Sequence, residues 1–292
     1  MRQNEKIKNI VNRFLSPSTR MKVYAIPYRI VYWNYARKVD INKLPLFQYI
    51  EIETINRCNG TCSFCPVNVN EPQRPYAKMT EELFHKIIDE LHELNYKNEV
   101  KLYSNNEPFL DSRILEFMKY AREQLPNAYL VIYTNGSMLD IDKIKETLKY
   151  LDILVIDNYS LNGHEIPENL KRIKEYCDKN IELYKKVKIM MRKKDEILTS
   201  RGGQAPNIKD NTKISYFKGC FLPFKQMIVR PDGKCSLCCN DALGKYTMGD
   251  LTKQSMMEVW YSDIYMDLRN RLLKEGRKGL KLCDKCDTHI FV

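Results

Sequence analysis

Three cysteines, spaced by three and by two residues, form a compact candidate metal-binding motif. They are Cys58, Cys62 and Cys65, and they follow the apolar, strand-like run 47–54. Three thiolates on one tight loop can hold three irons of a cubane iron-sulfur cluster and leave the fourth iron without a protein ligand. Zinc is the alternative for closely spaced cysteines, but it needs a fourth ligand, and the loop offers no suitable one. The motif therefore predicts a cluster with one open iron, where a reaction can take place.

An alternation of strands and helices predicts the framework that positions this loop. Apolar, β-rich runs alternate with amphipathic runs of helical period from Leu46 onward. Such alternation is typical of an α/β fold in which helices cover the outer face of a parallel sheet. The predicted strands are 47–54, 100–104, 129–134, 153–158 and 187–192, and the predicted helices are 80–94, 110–124, 140–149 and 167–180.

The cysteine motif, with the aromatic Phe64 before its third cysteine, resembles the signature of the radical S-adenosylmethionine (SAM) enzymes. In that family the open iron is chelated by the amino and carboxylate groups of SAM. Reductive cleavage of SAM then yields a 5'-deoxyadenosyl radical, which abstracts a hydrogen atom. The resemblance implies a partial (βα)6 TIM-like barrel, with the cluster at the carboxyl ends of its strands. The protein supplies binding, orientation and shielding, while the cofactor carries the difficult chemistry.

Polar residues after the predicted strands match positions with which this family binds SAM. Glu107 and Pro108 resemble the end of its Gly-Gly-Glu-Pro motif, whose acid holds the SAM amino group, although Asn105 and Asn106 replace both glycines. The same resemblance implies contacts to the SAM ribose and carboxylate from Asn135, Asn158, Ser160 and Arg192. A polar residue after a strand is also an ordinary turn former, so each position has a purely structural alternative.

A second set of cysteines lies in the C-terminal part of the chain, around a hairpin sequence that turns at 231–233. It resembles the twitch domain, the short form of the SPASM extension found in radical SAM enzymes. Four thiolates suffice to ligate a second cubane cluster completely, and zinc is again the alternative. Because the chain stops at Val292, one auxiliary cluster is expected. Its predicted ligands are Cys220, Cys238, Cys283 and Cys286.

Three further cysteines have other predicted roles. Cys177 falls on a predicted helix and is expected to be a buried apolar residue. Cys235 precedes Cys238 by three residues on the same strand, so it should point to the opposite face and be packed. Cys239 directly follows a predicted ligand, at a position that faces the substrate in related enzymes. Its thiol is predicted either to donate a hydrogen atom to a substrate radical or to fill space.

Four segments are predicted from the change of pattern along the chain. A basic amphipathic extension over 1–45 precedes the barrel at 46–200, a linker loop at 201–214 and the auxiliary domain at 215–292. Residues 1–38 carry nine Lys or Arg against one acid, and apolar residues recur at helical spacing before Pro17. This extension is expected to pack on the main domain, and contact with a membrane surface is the alternative.

Bulk composition bounds the class of protein. The 292 residues are 43% apolar and 29% charged, which is typical of a soluble protein. Ten cysteines without a signal peptide or an apolar run of transmembrane length indicate a reducing cytoplasm. The net charge of +11 is concentrated near the N-terminus, so no nucleic acid is expected as a partner.

The resemblance to the radical SAM family implies a reaction class. A single, fully ligated auxiliary cluster is similar to members that oxidise an alcohol carbon of a cyclitol, with the auxiliary cluster as electron acceptor. The predicted substrate is a sugar, a cyclitol or an aminoglycoside-like small molecule, with Arg201 orienting its hydroxyl and flavodoxin or ferredoxin as electron donor. Alternatives are an epimerase that uses Cys239, a peptide maturase, for which 1–45 is short, and a basic zinc protein that binds nucleic acid.

Overall fold

The computed structural model describes residues 17–69, 74–208 and 219–288. Its centre is one eight-stranded sheet, whose strands are β1 (Tyr49–Ile52), β2 (Glu99–Lys101), β3 (Tyr129–Thr134), β4 (Ile153–Ser160), β5 (Val187–Lys193), β6 (Gln226–Val229), β7 (Lys234–Ser236) and β8 (Thr247–Asp250). Their order across the sheet is β5-β4-β3-β2-β1-β6-β7-β8. Pairing is parallel from β5 to β6, and antiparallel at β7 and β8. The predicted α/β class with a mostly parallel sheet is confirmed.

Helices connect the parallel strands as predicted, and their starts follow local capping. The Thr80 side chain accepts a hydrogen bond from the Leu83 N–H, and Asp140 does the same for Lys143. The helices are α1 (Pro17–Lys38), α2 (Pro66–Val69), α3 (Glu81–Glu93), α4 (Ile114–Gln124), α5 (Ile141–Thr147), α6 (Glu168–Asp178), α7 (Ile181–Lys186), α8 (Met256–Trp260) and α9 (Asp263–Lys274).

The strands have one apolar face and one polar face. Ile50 and Ile52 of β1 are fully buried in the main core, which they share with side chains of α3 and α4. The intervening residues Tyr49 and Glu51 point the other way, because side chains alternate along a strand. We call the side they share with Tyr103, Tyr133 and Val155 the inner face of the sheet. Charged and aromatic side chains line the inner face near β1 and β2, a small apolar cluster with Val155 lies on it at β3 and β4, and helices cover the opposite face.

Strand β6 joins the C-terminal part of the chain to the central sheet. It pairs in parallel with β1, in the register Tyr49 to Gln226 and Ile52 to Val229. The hairpin of β6 and β7 turns through the predicted Pro231-Asp-Gly233. The sheet thus continues past the predicted linker, whose residues 209–214 lie outside the described part of the chain.

Helix α1 carries the tyrosine-rich stretch of the N-terminal extension and packs on the C-terminal part of the chain. Tyr32 donates a hydrogen bond to the Leu272 carbonyl at 3.1 Å, and the rings of Tyr32 and Tyr35 meet Phe221 edge-on. Pro17 begins this helix, and the predicted helical run 7–15 lies outside the described residues. In the part of the chain that is described, every helix is too short or too polar to span a bilayer.

We predict that Arg269→Leu lowers the free energy of unfolding by about 2–4 kcal/mol, because it leaves buried carbonyl groups without a donor. Arg269 is fully buried, donates to the carbonyls of Pro223 and Trp260, and lies 4.0 Å from the Trp260 ring centroid. Urea unfolding followed by circular dichroism measures the change. Arg271→Leu on the same helix is the control and should cost about 0.5 kcal/mol or less, since its ion pair is exposed.

Candidate active site

A cavity of about 520 Å³ opens at the carboxyl ends of β1 to β4. Its wall includes the cysteine loop 58–65, the segment 103–107 after β2, the segment 133–137 after β3 and the end of β4. Arg201, from the predicted linker, also lines it. The carboxyl ends of parallel strands meet at one edge of a sheet, which explains why segments far apart in sequence converge there. The volume suits small-molecule ligands.

The cysteine loop is held at both sides by hydrogen bonds to neighbouring strand ends. On one side, Asn135 Nδ2 donates to Asn59 Oδ1 at 2.8 Å and approaches Cys58 Sγ at 4.0 Å. On the other side, the Ser63 N–H and hydroxyl both donate to the Lys194 carbonyl at 3.0 Å. Phe64, the aromatic residue of the motif, packs on the Tyr159 ring at 5.4 Å. The three thiols are thereby fixed on one wall of the cavity.

Burial raises the pKa of the Cys58 and Cys62 thiols. The pKa of Cys58 rises to about 11 through loss of solvent, which the Gly60 N–H opposes with a hydrogen bond to Sγ at 3.3 Å. The pKa of Cys62 rises to about 12 for the same reason, with the neighbouring thiols Cys65 and Cys58 adding to the rise. Without a metal the sulfurs of Cys58 and Cys62 are therefore protonated at neutral pH, and metal binding must release their protons.

Glu107 joins the ends of β2 and β3. Its carboxylate accepts hydrogen bonds from the Thr134 hydroxyl at 2.7 Å, the Asn135 N–H at 2.8 Å and the Phe109 N–H at 3.2 Å. Burial raises the pKa of Glu107, and these three donors oppose the rise. The side chain lines the cavity, so it combines a fixed orientation with access to a ligand.

The other residues predicted to contact SAM divide into two groups. Asn135 and Asn158 line the cavity, and Asn158 donates to the Glu165 carbonyl at 2.7 Å. Ser160 and Arg192 do not belong to the cavity wall. The Ser160 hydroxyl instead donates to Asn162 Oδ1, and Arg192 forms an ion pair with Glu196 at 3.0 Å. The structure thus brings together the first pair with Glu107 and the cysteine loop, and it places the second pair outside this group.

Arg201 is held in an unusual backbone conformation at the cavity wall. Its φ of +47° lies in the left-handed region, and Gly202 and Gly203 continue the tight turn with φ of +64° and +81°. Such conformations are concentrated at functional sites. The guanidinium donates to the Cys239 carbonyl at 2.9 Å and to Asn105 Oδ1, while its buried Nε has no hydrogen-bond partner. Nη2 makes both of these bonds and Nη1 makes none with the described residues, so Nη1 is the nitrogen left for a ligand.

The predicted linker is firmly attached where it carries this arginine. The Ser200 N–H donates to Asp287 Oδ1 at 2.7 Å, and its hydroxyl donates to the Lys285 carbonyl at 2.6 Å and accepts from the Asp287 N–H at 3.2 Å. A Cβ on Gly202 would lie 2.4 Å from Leu282 Cδ1, so only glycine allows this close approach. Arg201 is consequently positioned by the segment that carries the last two cysteines.

Sequence reasoning missed two buried acids on the inner face. Glu53 forms a two-pronged ion pair with Arg74, with both distances at 2.9 Å, and Arg74 also donates to the Asn105 carbonyl. Glu51 is 6% exposed and accepts a hydrogen bond from the Ser104 hydroxyl at 2.8 Å. The signal was present in Tyr49-Ile-Glu-Ile-Glu53, whose period-two alternation places both acids on the face opposite the isoleucines.

The four C-terminal cysteines surround a buried arginine. Cys238, Cys283 and Cys286 are buried and Cys220 is half-buried, and all four lie close enough to Arg277 to raise its pKa by their charge. Arg277 is 4% exposed and donates to the carbonyls of Gly219, Cys286 and Thr288. A buried guanidinium among four thiols provides the positive charge that an anionic metal-thiolate group requires.

The three remaining cysteines occupy distinct positions. Cys177 is buried on α6 and Cys235 is buried on β7, which confirms the predicted burial of both, although β7 ends at Ser236 and Cys238 does not share the strand with Cys235. Cys239 presents its carbonyl oxygen to Arg201 and Asn105, and its side chain is not part of the cavity wall. Burial, followed by the nearby Glu51 charge, raises the pKa of the Cys239 thiol to about 12.

Both cysteine sets suit iron-sulfur clusters in donor chemistry, since such clusters are held by thiolates. The first set offers three sulfurs beside an open cavity, and the second offers four sulfurs in a closed environment. Within residues 17–69, 74–208 and 219–288, no three Cys, His, Asp or Glu side chains converge on a single-ion site.

Two family models match the chain. A model described as the radical SAM superfamily matches residues 52–199, and one described as an iron-sulfur cluster-binding domain, SPASM, matches residues 220–287. The two matches coincide with the two cysteine sets.

Known proteins resemble the chain over most of its length. The S-adenosyl-L-methionine-dependent 2-deoxy-scyllo-inosamine dehydrogenase of Niallia circulans is 27% identical over 244 residues, which are 83% of this chain and 94% of that protein. The crystal structure of BtrN in complex with AdoMet and 2-DOIA aligns with a TM-score of 0.70 at 24% identity, covering 84% of this chain and 94% of that one. Native anSMEcpe with bound AdoMet aligns with a TM-score of 0.54 at 13% identity, covering 82% and 88%. These structures share the fold.

We predict that Arg277→Met lowers the iron content of the anaerobically reconstituted protein from about eight to about four atoms per chain. The variant removes the buried positive charge beside four thiols and three backbone hydrogen bonds that hold them. Iron and sulfide analysis measures the loss. Arg271→Met, at a more exposed arginine, should keep the full content, and an unchanged content in Arg277→Met would contradict the role of the charge.

Proposed function

Because the chain belongs to the radical SAM superfamily, we propose that it oxidises a secondary alcohol carbon of a small polyhydroxylated molecule, of the cyclitol, sugar or aminoglycoside class. The observation that carries this proposal is Arg201. Arg201 lines the cavity, its Nη1 makes no hydrogen bond with the described residues, and its Nη2 connects Asn105 after β2 to Cys239 of the C-terminal domain. The chain is a radical SAM enzyme with an auxiliary SPASM domain, and SAM and 4Fe-4S clusters are its cofactors.

The proposal assigns each cofactor to residues of this chain. When bound, SAM and its cluster supply a 5'-deoxyadenosyl radical, and the auxiliary cluster supplies an electron acceptor. We assign the first cluster to the cysteine loop, and the SAM amino group to Glu107, whose carboxylate is fixed at the cavity wall. Asn135 and Asn158 are assigned to the rest of SAM, while Ser160 and Arg192 stay predictions. The auxiliary cluster is assigned to Cys220, Cys238, Cys283 and Cys286.

Arg201 has a defined task in alcohol oxidation. Its guanidinium cannot act as a base at neutral pH, but it can donate to the substrate oxygen. As the carbon–oxygen bond gains double-bond character and the hydroxyl proton leaves, negative charge develops on that oxygen. A fixed cationic donor stabilises this charge. The hydrogen bonds to Asn105 and to the Cys239 carbonyl keep Arg201 in place for this purpose.

The similarity to a curated dehydrogenase supports the substrate class. The enzyme of Niallia circulans is named for 2-deoxy-scyllo-inosamine, and this chain aligns with 94% of its length. A cavity of about 520 Å³ has room for a ring of this size beside SAM. We propose a related hydroxylated ring compound as the substrate.

Further partners are proposed on narrower grounds. Reductive SAM cleavage needs an external electron donor such as flavodoxin or ferredoxin, and it suits a reducing cytoplasm.

Peripheral membrane contact is proposed for the outer side of α1, where Ile30 is 54% exposed and Trp33 is 58% exposed beside Arg37. The opposite side of the helix packs on Phe221.

We expect the anaerobically reconstituted protein to transfer deuterium from a labelled substrate into 5'-deoxyadenosine. The panel comprises 2-deoxy-scyllo-inosamine and related inositols, amino sugars and aminoglycoside fragments, each with deuterium on its carbinol carbons. Mass spectrometry measures the label in 5'-deoxyadenosine and a product lighter by two hydrogens. Transfer without such a product from any compound would contradict the dehydrogenase.

The same assay separates oxidation from epimerisation. In deuterated water, an epimerase that uses Cys239 incorporates one solvent deuterium at carbon, and Cys239→Ala stalls it. Because the Cys239 side chain is not part of the cavity wall, we expect both proteins to form the carbonyl product instead. Cys239→Ser is the matched control for the volume of the side chain.

We predict that replacing Cys58, Cys62 and Cys65 together by alanine abolishes SAM cleavage and leaves about four irons per chain. The open iron that binds SAM depends on this loop, whereas the C-terminal cysteines are separate from it. Iron analysis and quantification of 5'-deoxyadenosine test the claim. Continued SAM cleavage by the triple variant would contradict the assignment of the cluster.

A further inference from the structure

We propose that the Glu51 carboxylate, reached through the Ser104 hydroxyl, accepts the hydroxyl proton of the substrate during oxidation. This proposal rests on the proposed function, because it names the base that alcohol oxidation needs and that Arg201 cannot provide. Glu51 lies on β1 behind the cavity wall, and Ser104 is part of that wall. The pair therefore forms a short path from the cavity to a buried acid.

The hydrogen bonds around Ser104 define the direction of this path. Its hydroxyl donates to Glu51 Oε2 at 2.8 Å and accepts from Asn105 Nδ2 at 3.2 Å. A serine hydroxyl has one hydrogen and two lone pairs, so one lone pair is left to accept a proton from a ligand in the cavity. Asn105 Oδ1 also accepts a hydrogen bond from Arg201. The Asn105 amide therefore lies between Arg201, the donor to the substrate oxygen, and Ser104, which accepts the proton.

Other acids near the cavity are less suited to this role. Glu53 is neutralised by its two-pronged pair with Arg74, and Glu107 accepts three hydrogen bonds. Among the ion pairs of the described residues, none involves Glu51. Asp157 lines the cavity with an unpartnered Oδ1, but it lies at the end of β4 and has no hydrogen bond to Asn105 or Arg201. Asp157 is therefore the alternative base that the experiment must distinguish from Glu51.

The charges around Glu51 support its action as a base near neutral pH. Burial raises the pKa of its carboxyl, and Glu53 on the same strand adds to the rise. Lys101 from β2, Arg201 from the linker and the Ser104 hydrogen bond lower it. Cys239, Tyr103, Tyr133 and Tyr49 also face this carboxyl. A carboxylate with a raised pKa is a stronger proton acceptor than an exposed glutamate.

The atoms and electrons of the reaction balance with this assignment. The carbinol hydrogen leaves as an atom to the 5'-deoxyadenosyl radical, breaking the C–H bond. The hydroxyl proton passes to Ser104 Oγ, while the Ser104 proton passes to Glu51. One electron leaves the substrate for the auxiliary four-iron cluster, which is the oxidant. The carbon–oxygen bond then becomes a carbonyl, and Glu51 later returns its proton to solvent.

We expect Glu51→Gln to separate carbonyl formation from SAM cleavage. With 2-deoxy-scyllo-inosamine as the probe, the ratio of carbonyl product to 5'-deoxyadenosine should fall by about 100-fold, within the usual contribution of a general base. In the wild type this ratio should rise with pH through the raised pKa of Glu51, and Glu51→Gln should lose that dependence. Ser104→Ala should resemble Glu51→Gln, and Ser104→Thr, which keeps a hydroxyl, should restore the ratio.

Thermal unfolding checks the carboxyl independently of activity. Because the folded-state pKa of Glu51 is raised above its ordinary value of 4.5, ionising it destabilises the folded protein as pH increases. The melting temperature of Glu51→Gln relative to wild type should therefore be higher at pH 8 than at pH 5. A variant that fails to fold is recognised by its loss of a cooperative transition, and Glu51→Asp then replaces it.

Glu99→Gln is the matched control, since Glu99 pairs with Lys101 at 3.6 Å and has no contact with Ser104. It should keep the wild-type ratio. The proton path would be overturned if Glu51→Gln kept the wild-type ratio of carbonyl product to 5'-deoxyadenosine, or if only Asp157→Asn lowered that ratio. Either result would leave the proposed function intact. If the wild type forms no carbonyl from this probe or from the rest of the panel, the proposed function fails, and the proton path fails with it.

Discussion

The parallel pairing of β1 with β6 is the interaction on which the arrangement of the two cysteine sets depends. β1 is hydrogen-bonded to β2 on one side and to β6 on the other. The loop after β1 carries Cys58, and the chain after β6 turns back through β7 to Cys238. Neighbouring strands lie about 4.8 Å apart, so this pairing fixes where the C-terminal domain meets the cavity. It also closes the inner face of the sheet beside Glu51.

A chain of polar contacts also connects β1 to the linker and to the C-terminal domain. Glu53 holds Arg74, Arg74 donates to the Asn105 carbonyl, and the Asn105 side chain contacts Arg201, which donates to the Cys239 carbonyl. These residues come from β1, the segment after the cysteine loop, the end of β2, the linker and the C-terminal domain. Breaking a buried pair such as Glu53 with Arg74 is costly, about 3–5 kcal/mol, so the chain resists separation of its parts.

The sequence predicts local elements well because their signals are local. The predicted strand 129–134 coincides with β3, and the predicted helix 80–94 contains α3. The pairing of β1 with β6 carries no such signal, since it joins residues about 180 positions apart. Glu51 was missed for another reason: its alternation with isoleucine was interpreted only as a strand, and the polarity of its inward face was overlooked. Arg201 stays a prediction from its position in the chain, whereas its left-handed φ and the close approach of the following Gly202 to Leu282 are visible only in the structure.

The cavity itself limits the chemistry of what it binds. Three residues of its wall each carry a fully buried polar atom without a hydrogen-bond partner among the described residues: Arg201 Nε, Asn106 Nδ2 and Asp157 Oδ1. Leaving a buried polar group unsatisfied costs about 1–3 kcal/mol, and a ligand regains that energy only if the side chain turns its free atom towards the cavity. Two donors and one acceptor at separate positions match a ring with several hydroxyl or amino groups. An apolar ligand of the same volume offers these side chains no partner, so their polarity favours a polar ligand.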